Sequence, residues 1–426
     1  MTASIRAASL HCLTHNPMNT RSVLIIEMSR QALATVRSLG RAGYHVIVGR
    51  CGADSAVEHS RFCHEVWDHP EIGSSAVFEQ ALTTFLDSRP DIQVIYPTGE
   101  NSTQALGSMP SILERDITRV MVHPPLLNDC LNKTQAMALA KNLDINLPAS
   151  QEVRSNIELW AAVDAIGFPI IVKPVRSTKK LFERKAYIIR SSNELESVFA
   201  NWPAEHSILL AQQYIEGDIE ACDFVASNGK MLGYMEALTV RTDIPDGTGF
   251  CVDFTSIPVS SDLYSACQQF AQAQAYTGPG LMQCIRSKTD NLLYFVEINP
   301  RLAAGISHTI ACGQNFPLLA LQAFSPAEAD RLPEFCDLTN PYKSQQSAHW
   351  LEGDIVGLLA ERHRLTLQQK LTWCRQMLAS FFRAESHMNW QWSDPKPSLV
   401  IYSKLLFRFT KPIRKLLTIA RSGKPR

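Results

Sequence analysis

The sequence predicts a mixed α/β fold, and two observations carry that expectation. The first is a strand–helix–strand opening. SVLIIEM (22–28) is an apolar strand, Leu33, Val36, Leu39 and Ala42 then keep helical spacing, Gly43 stops the helix, and HVIVG follows. A βαβ unit of this kind implies a parallel sheet. The second is a hairpin far downstream, where LMQCIR (281–286) and NLLYFVEI (291–298) flank a polar turn running from Ser287 to Asn291. GKMLGYMEALTVRT and GFCVDFTSIPV lie before it and read as further antiparallel strands, with SDLYSACQQFAQAQAY as a helix backing them. The chain is therefore expected to pass from a parallel sheet to an antiparallel one.

The hairpin also carries the chemistry. Residues an even number apart on a strand share a face, so Glu297 and Asn299 leave the same side, and Gln283 on the opposing strand can be brought across from them. Oxygen ligands of mixed charge suit Mg²⁺, which takes few protein ligands and leaves room for phosphates. Arg301 follows, with a planar fork suited to phosphate or carboxylate oxygens. The plainer reading of each residue alone is a hairpin ending in a polar loop; EINPR closing an apolar strand favours the metal site.

With 426 residues the chain has room for two or three domains, and 45% hydrophobic against 19% charged residues is the balance of a soluble globular protein. Formal net charge is zero, which gives no reason to expect a nucleic-acid partner. Its distribution is uneven. Residues 401–426 hold eight basic residues and no acid, so the remaining 33 basic residues face 41 acidic ones, a formal −8. The eleven cysteines have no CxxC pair and no zinc spacing, which fits reduced thiols in a cytoplasmic compartment. Residues 1–20 are too polar for a secretory signal and read as a disordered leader, or as an over-called start with Met18 as the alternative.

EINPR after a hydrophobic strand, with a Gln on the strand before it, resembles the metal-binding end of the ATP-grasp superfamily. The set Gln283, Glu297, Asn299 is most similar to the carbamoyl-phosphate-synthetase-like branch. The resemblance spans roughly residues 21–325. It implies an N-terminal pre-ATP-grasp α/β domain (21–128) and an ATP-grasp domain (129–325; lid 129–205, core 206–325). A linker and helical, basic C-terminal extension (326–426) lies beyond it. It also implies ATP with Mg²⁺ (or Mn²⁺), and joining of a carboxylate to an amine through an acyl phosphate. Carbamoyl-phosphate-type or carboxylation chemistry is the enzyme alternative; a nucleotide-binding adaptor without turnover at the membrane surface is the other.

The same resemblance assigns residues along the chain. Lys133 opens the lid helix in NKTQAMALAKNLDINLPAS, and Lys173 ends the strand GFPIIVKPV as the nucleotide-contacting lysine, a catalytic candidate beside Arg301. Gln213, Tyr214 and Ile215 take the adenine edge, and Glu220 the ribose hydroxyls. The family's glycine-rich flap is missing. Its place is taken by VRSTKKLFERKAY (175–187), where Arg176, Lys179, Lys180, Arg184 and Lys185 offer charge instead, the plainer reading being a solvated loop.

Glu100 stands at the carboxyl end of the strand VIYP, the edge at which open α/β sheets bind ligands, and helix capping by Asn101 or Ser102 is the plainer account of that turn. Arg241 precedes the turn TDIPDGTG and reads either as substrate-facing or as a surface arginine. Gly305, Ser307 and His308 fall where the resemblance places acceptor or acyl-phosphate contacts, although a lone His is more often structural. The tail 401–426 interleaves Leu405, Leu406, Phe409, Ile413, Leu416 and Leu417 with cations around Pro412. It admits two readings: peripheral contact with the inner membrane face, or a helix docked on the body.

Overall fold

The computed structural model describes residues 21–52, 55–73, 76–143, 145–325 and 341–407. The expected leader and the tail from residue 408 onward lie outside the described residues. β1 (Ser22–Ile26), β2 (His45–Arg50), β3 (Glu65–Asp68), β4 (Ile92–Pro97) and β5 (Thr118–Arg119) form a parallel sheet in the order β3-β2-β1-β4-β5. β1 is buried along its whole length, as its unbroken apolar run requires for a central parallel strand. Helix Arg30–Arg41 lies on this sheet. Ser29 caps it, its Oγ accepting from Ala32 N, and Leu33, Val36 and Leu39 fill the core.

A four-stranded antiparallel sheet follows, from β6 (Ser150–Val153), β7 (Ile170–Pro174), β8 (Tyr187–Ile189) and β9 (Leu209–Gln213), in the order β6-β9-β7-β8. The largest sheet has seven strands: β10 (Gly217–Ser227), β11 (Lys230–Thr242), β12 (Cys251–Ile257), β13 (Gly278–Ser287), β14 (Leu293–Asn299), β15 (Ser347–His349) and β16 (Ser386–His387). Their order is β14-β13-β10-β11-β12-β15-β16, antiparallel except for the last pair. β15 and β16 come from beyond the expected helical extension's start, so the C-terminal stretch completes the sheet as well as supplying helices Leu351–Glu361 and Leu367–Arg383. The helix expected from 132 to 150 is shorter, Lys133–Ala140. Among the described residues no helix is long and apolar enough to cross a membrane.

The sheets are fastened together on both faces of helix Arg30–Arg41. One apolar cluster joins Leu33, Val36 and Leu39 to Val225 and Met235 of the seven-stranded sheet and to Phe316 and Ala320 of helix Phe316–Ala323. The other fastening is polar. Arg37 is buried on the same helix, its Nε donating to Asp394 Oδ2 at 2.8 Å, Nη1 to Asn389 O and Nη2 to Asp394 O. Asp394 also accepts from Ser60 Oγ and Arg61 N, so each buried charge has three hydrogen bonds or more. Removing one partner leaves a buried charge alone. Asp394→Ala is expected to cost about 3–5 kcal/mol in urea denaturation, and a loss under about 1 kcal/mol would show the clamp to be unimportant.

Candidate active site

The cleft begins with strand register. β13 and β14 pair Gln283 with Glu297 and Leu281 with Asn299, and β10 pairs Ala221 with Gln283. Directly opposed residues of antiparallel strands share a face, so Gln283, Glu297 and Asn299 stand together, as the alternation predicted. A bulge between Gln283 and Cys284 lets the apolar part of the hairpin stay in the core while the carboxyl end turns its polar groups outward. Asn299 Nδ2 donates to Glu297 Oε1 at 2.9 Å, leaving its Oδ1 for another partner.

Three lysines converge on Glu297. Lys133 is the first residue of its helix, fixed by the Asn132 cap, and its Nζ lies 4.0 Å from Glu297 Oε2 and 3.2 Å from Ser177 Oγ. Lys173 is buried at the end of β7 with Nζ donating to Gln212 Oε1 at 2.8 Å. Lys185, from the glycine-free loop, completes the group electrostatically, with its Nζ 3.8 Å from the Phe250 ring centroid. It keeps contact with water although protein surrounds it, as a side chain at the mouth of an open cleft does. Burial alone would raise the Glu297 carboxyl, but Lys133, Lys185, the Asn299 amide and Lys173 outweigh it and hold it at about 2. Lys173 is pushed down to about 7 by burial and then by Lys133, with Glu297 opposing. Glu297 is an anion at neutral pH, and Lys173 is balanced between its two forms.

The opposite wall comes from the parallel sheet. Glu100 starts helix Glu100–Gly107 and lies 3.6 Å from Arg301 Nη2. Burial raises its carboxyl, against the pull of Arg301. Glu100 Oε1 and Arg301 Nε are both buried without a hydrogen-bond partner among the described residues, and so is Asp223 Oδ1. Glu27 supports this wall. Its φ of 79° is rare for a non-glycine residue, and its carboxylate accepts from Ser102 N at 2.9 Å. A Cβ on Gly99 would stand 2.1 Å from that carboxylate, so a larger residue there would displace the Glu27 side chain from Ser102 N.

Several functional residues escaped the sequence reading, and others moved. Asp223 lies on the cleft face because it is two residues from Ala221, and burial pushes it up to about 7 while Arg301 pulls the other way. Counting alternate residues back from Gln283 across the register would have found it. Glu220, expected at the ribose hydroxyls, has the opposite parity on the same strand. It sits on the far face of β10, where the Arg286 guanidinium forks between Glu220 and Asp262. Arg241, expected either to face substrate or to lie on the surface, pairs with Asp354 and stands beside Asp253 under the C-terminal helices. Ser307 Oγ donates to Met388 O, and the fully buried His308 bonds Ser386 Oγ through Nδ1, so both face β16 rather than the cleft. Gly305 precedes their helix and abuts Phe254. Gln213 and Tyr214 are tied by their amides to Ala149 O and Pro169 O at the β9–β10 link, while Ile215 is the next residue along.

The glycine-free loop is anchored rather than loose. Arg184 bridges Asp246 and Glu361, and Arg176, Lys179 and Lys180 are exposed. Among the described residues no three His, Cys, Asp or Glu side chains converge, so a cation at Glu297 would depend on the Gln283 and Asn299 amide oxygens and on ligand oxygens. One carboxylate and two amides fit a hard cation that keeps water or phosphate ligands.

Comparison with known proteins agrees with this geometry. The family described as "ATP-grasp in the biosynthetic pathway with Ter operon" matches residues 205–341. The carbamoyl phosphate synthase large chain of Methanoregula boonei is 25% identical over 192 residues, covering 43% of this chain and 18% of that one. A formate-dependent phosphoribosylglycinamide formyltransferase of Wolinella succinogenes is 22% identical over 38% of this chain and 42% of its own. The chain thus spans less than half the length of these relatives. Biotin carboxylase from Campylobacter jejuni, solved as a β,γ-ATP complex, superimposes with a TM-score of 0.61 at 14% identity, over 78% of this chain and 75% of that one. N5-carboxyaminoimidazole synthetase from Staphylococcus aureus gives 0.57 at 16% identity, over 77% and 80%. The ATP-grasp family match falls on the segment that carries β10, β13, β14 and Arg301, the strand-borne side of the cleft, and the superposed structures share the fold.

Proposed function

We propose that the chain is an ATP- and Mg²⁺-dependent ligase that activates a carboxylate and joins it to an amine. The observation that carries this reading is the cluster of Lys133, Lys173 and Lys185 around an ionised Glu297, facing Arg301 across the cleft. Cations in excess of anions beside one fixed carboxylate suit a polyphosphate bearing a divalent cation. The likeness to carbamoyl phosphate synthase and to a formate-dependent formyltransferase supports the same chemistry.

In the reaction a substrate carboxylate oxygen attacks the γ-phosphorus of ATP, the bond to the β-phosphate oxygen breaks, and ADP leaves. The neutral amine then attacks the acyl carbon, inorganic phosphate departs with the bonding pair, and the amine proton is released. Mg²⁺, when bound, supplies charge neutralisation and a template for the phosphates. Glu297, Asn299 and Gln283 are the residues to hold it. Lys133, Lys173 and Lys185 offset charge on the transferred group, a task that needs positioned cations and no protein nucleophile. Arg301 can bind the substrate carboxylate or the transferred phosphoryl with its fork, and its unpartnered Nε is free to do so among the described residues. Asp223 Oδ1 can hold a proton at the cleft floor near neutral pH.

The reading is tested by ADP release in the presence of ATP, Mg²⁺ and panels of carboxylic acids, bicarbonate included, with and without amines. Release that depends on both an acid and an amine is expected; release with bicarbonate alone would favour carboxylation, and none would favour a binding protein. Glu297→Gln keeps the side-chain shape and removes the anion, and is expected to lower turnover on the order of 10²-fold or more. Full activity in a folded Glu297→Gln protein would reject the metal assignment.

The Lys173 ammonium makes a second expectation. Bound triphosphate favours its charged form, so binding takes up a proton above pH 7 and nucleotide affinity falls as pH rises from 7 to 9, by up to about tenfold per unit. Lys173→Met should bind more weakly and flatten that dependence. Parallel slopes in both proteins would show that another group titrates. Without nucleotide the sign reverses, because the unfolded chain then binds the extra proton. Lys173 makes stability rise with pH between about 7 and its ordinary 10.5.

A further inference from the structure

Beyond the lysine cluster the cleft continues to a wall that the ligase reading leaves unused. Arg30 is the first residue of helix Arg30–Arg41, at the carboxyl edge of the parallel sheet, and its guanidinium lies 3.3 Å from the centre of the Trp350 ring. The indole is itself held. Trp350 N donates to Val252 O at 2.8 Å, and Nε1 reaches Glu352 Oε2 at 3.4 Å. A Cβ on Gly353 would stand 2.0 Å from Trp350 Cε3, so the ring lies flat where only glycine leaves room. A stacked guanidinium keeps its in-plane N–H groups for hydrogen bonding. Yet Arg30 makes no side-chain hydrogen bond or ion pair with any described residue.

The nearby acids are engaged elsewhere. Glu352 Oε2 accepts from Asn389 Nδ2 at 2.8 Å, and Asp243 Oδ1 accepts from Phe250 N. Lys185 Nζ lies over the Phe250 ring, Phe250 N donates to Asp243, and Val252, two residues on, holds the Trp350 amide, so one strand edge joins this wall to the lysine cluster. Burial lowers Arg30 to about 10, which still leaves it a cation at neutral pH. Glu352 and Asp243 attract Arg30 without hydrogen-bonding to it, so its fork keeps donors for a further anion.

We propose that Arg30, stacked on Trp350, anchors a second anionic group of the acid substrate, a carboxylate or a phosphate, while the reacting carboxylate lies towards Arg301. This rests on the ligase reading and narrows it: the acid carries at least two negative charges. Both residues lie outside the matched family segment: Arg30 opens a helix of the N-terminal sheet and Trp350 precedes helix Leu351–Glu361.

The full-length protein, saturated with Mg²⁺ and a non-hydrolysable ATP analogue so that the phosphate sites are filled, is titrated by calorimetry with malonate and, separately, with inorganic phosphate. Wild-type protein is expected to bind at least one of them with a millimolar or tighter Kd, and the stronger of the two identifies the anion class. Arg30→Gln should weaken that binding at least tenfold and change analogue affinity less than twofold. Arg30→Lys keeps the charge without the fork and should lose an intermediate factor, which keeps the test decisive if the Gln variant does not fold. No binding of either probe, or equal affinity in wild type and variants, overturns the proposal. Failure of the analogue to bind would instead reject the ligase reading, and the anion titrations without it would still report on Arg30.

Discussion

The antiparallel register of β10, β13 and β14 is the constraint on which the cleft depends. Because side chains alternate, pairing Ala221 with Gln283 and Gln283 with Glu297 places Asp223 and Asn299 on the same face and Cys222, Phe224 and Cys284 in the core behind it. A slip of one residue would bury Glu297 and Asp223 among those apolar groups and expose the core residues. Burying an unpaired carboxylate is expensive enough to exclude that alternative. The register that makes the core therefore also makes the site.

The second determinant is electrostatic. Lys133, Lys185 and Lys173 together hold Glu297 far below the usual carboxylate range, while burial and Lys133 hold Lys173 below its own. The unpartnered buried atoms of Arg301, Glu100 and Asp223 lie around the same space. In a folded protein such atoms carry a desolvation cost that a bound ligand relieves. The arrangement is that of a preorganised polar site, in which stability is given up locally and binding recovers it.

The C-terminal stretch changes the character of the fold. It adds β15 and β16 to the main sheet, clamps helix Arg30–Arg41 through Arg37 and Asp394, and draws Arg241, Ser307 and His308 into its own packing. A buried His349–Asp354–Arg241 network sits beneath its helices, joined by Trp373 Nε1 on Asp354. Residues that a sequence reading treats as polar loop members thus become parts of a second core. The same stretch sets the Trp350 ring against the Arg30 guanidinium at the start of helix Arg30–Arg41.

What could be read from the sequence was what depends on neighbours along the chain. The βαβ opening, the hairpin, and the clustering of Gln283, Glu297 and Asn299 follow from periodicities of 3.6 and 2, which are local properties. The contribution of Lys133 followed from the resemblance, and the structure sets its ammonium beside Glu297. Local pattern does not say which face of β10 meets the cleft, so it does not separate Asp223, which lies there, from Glu220, whose carboxylate meets Arg286 on the other face. Nor could it show that Lys185 alone of the loop cations reaches the lysine cluster, because Arg184 is pulled aside by Asp246 and Glu361. Arg30 and Trp350 are 320 positions apart in the chain. Their contact exists only because two sheets and a C-terminal strand pack around one helix, and contacts across that distance are decided by tertiary packing, which no local pattern encodes.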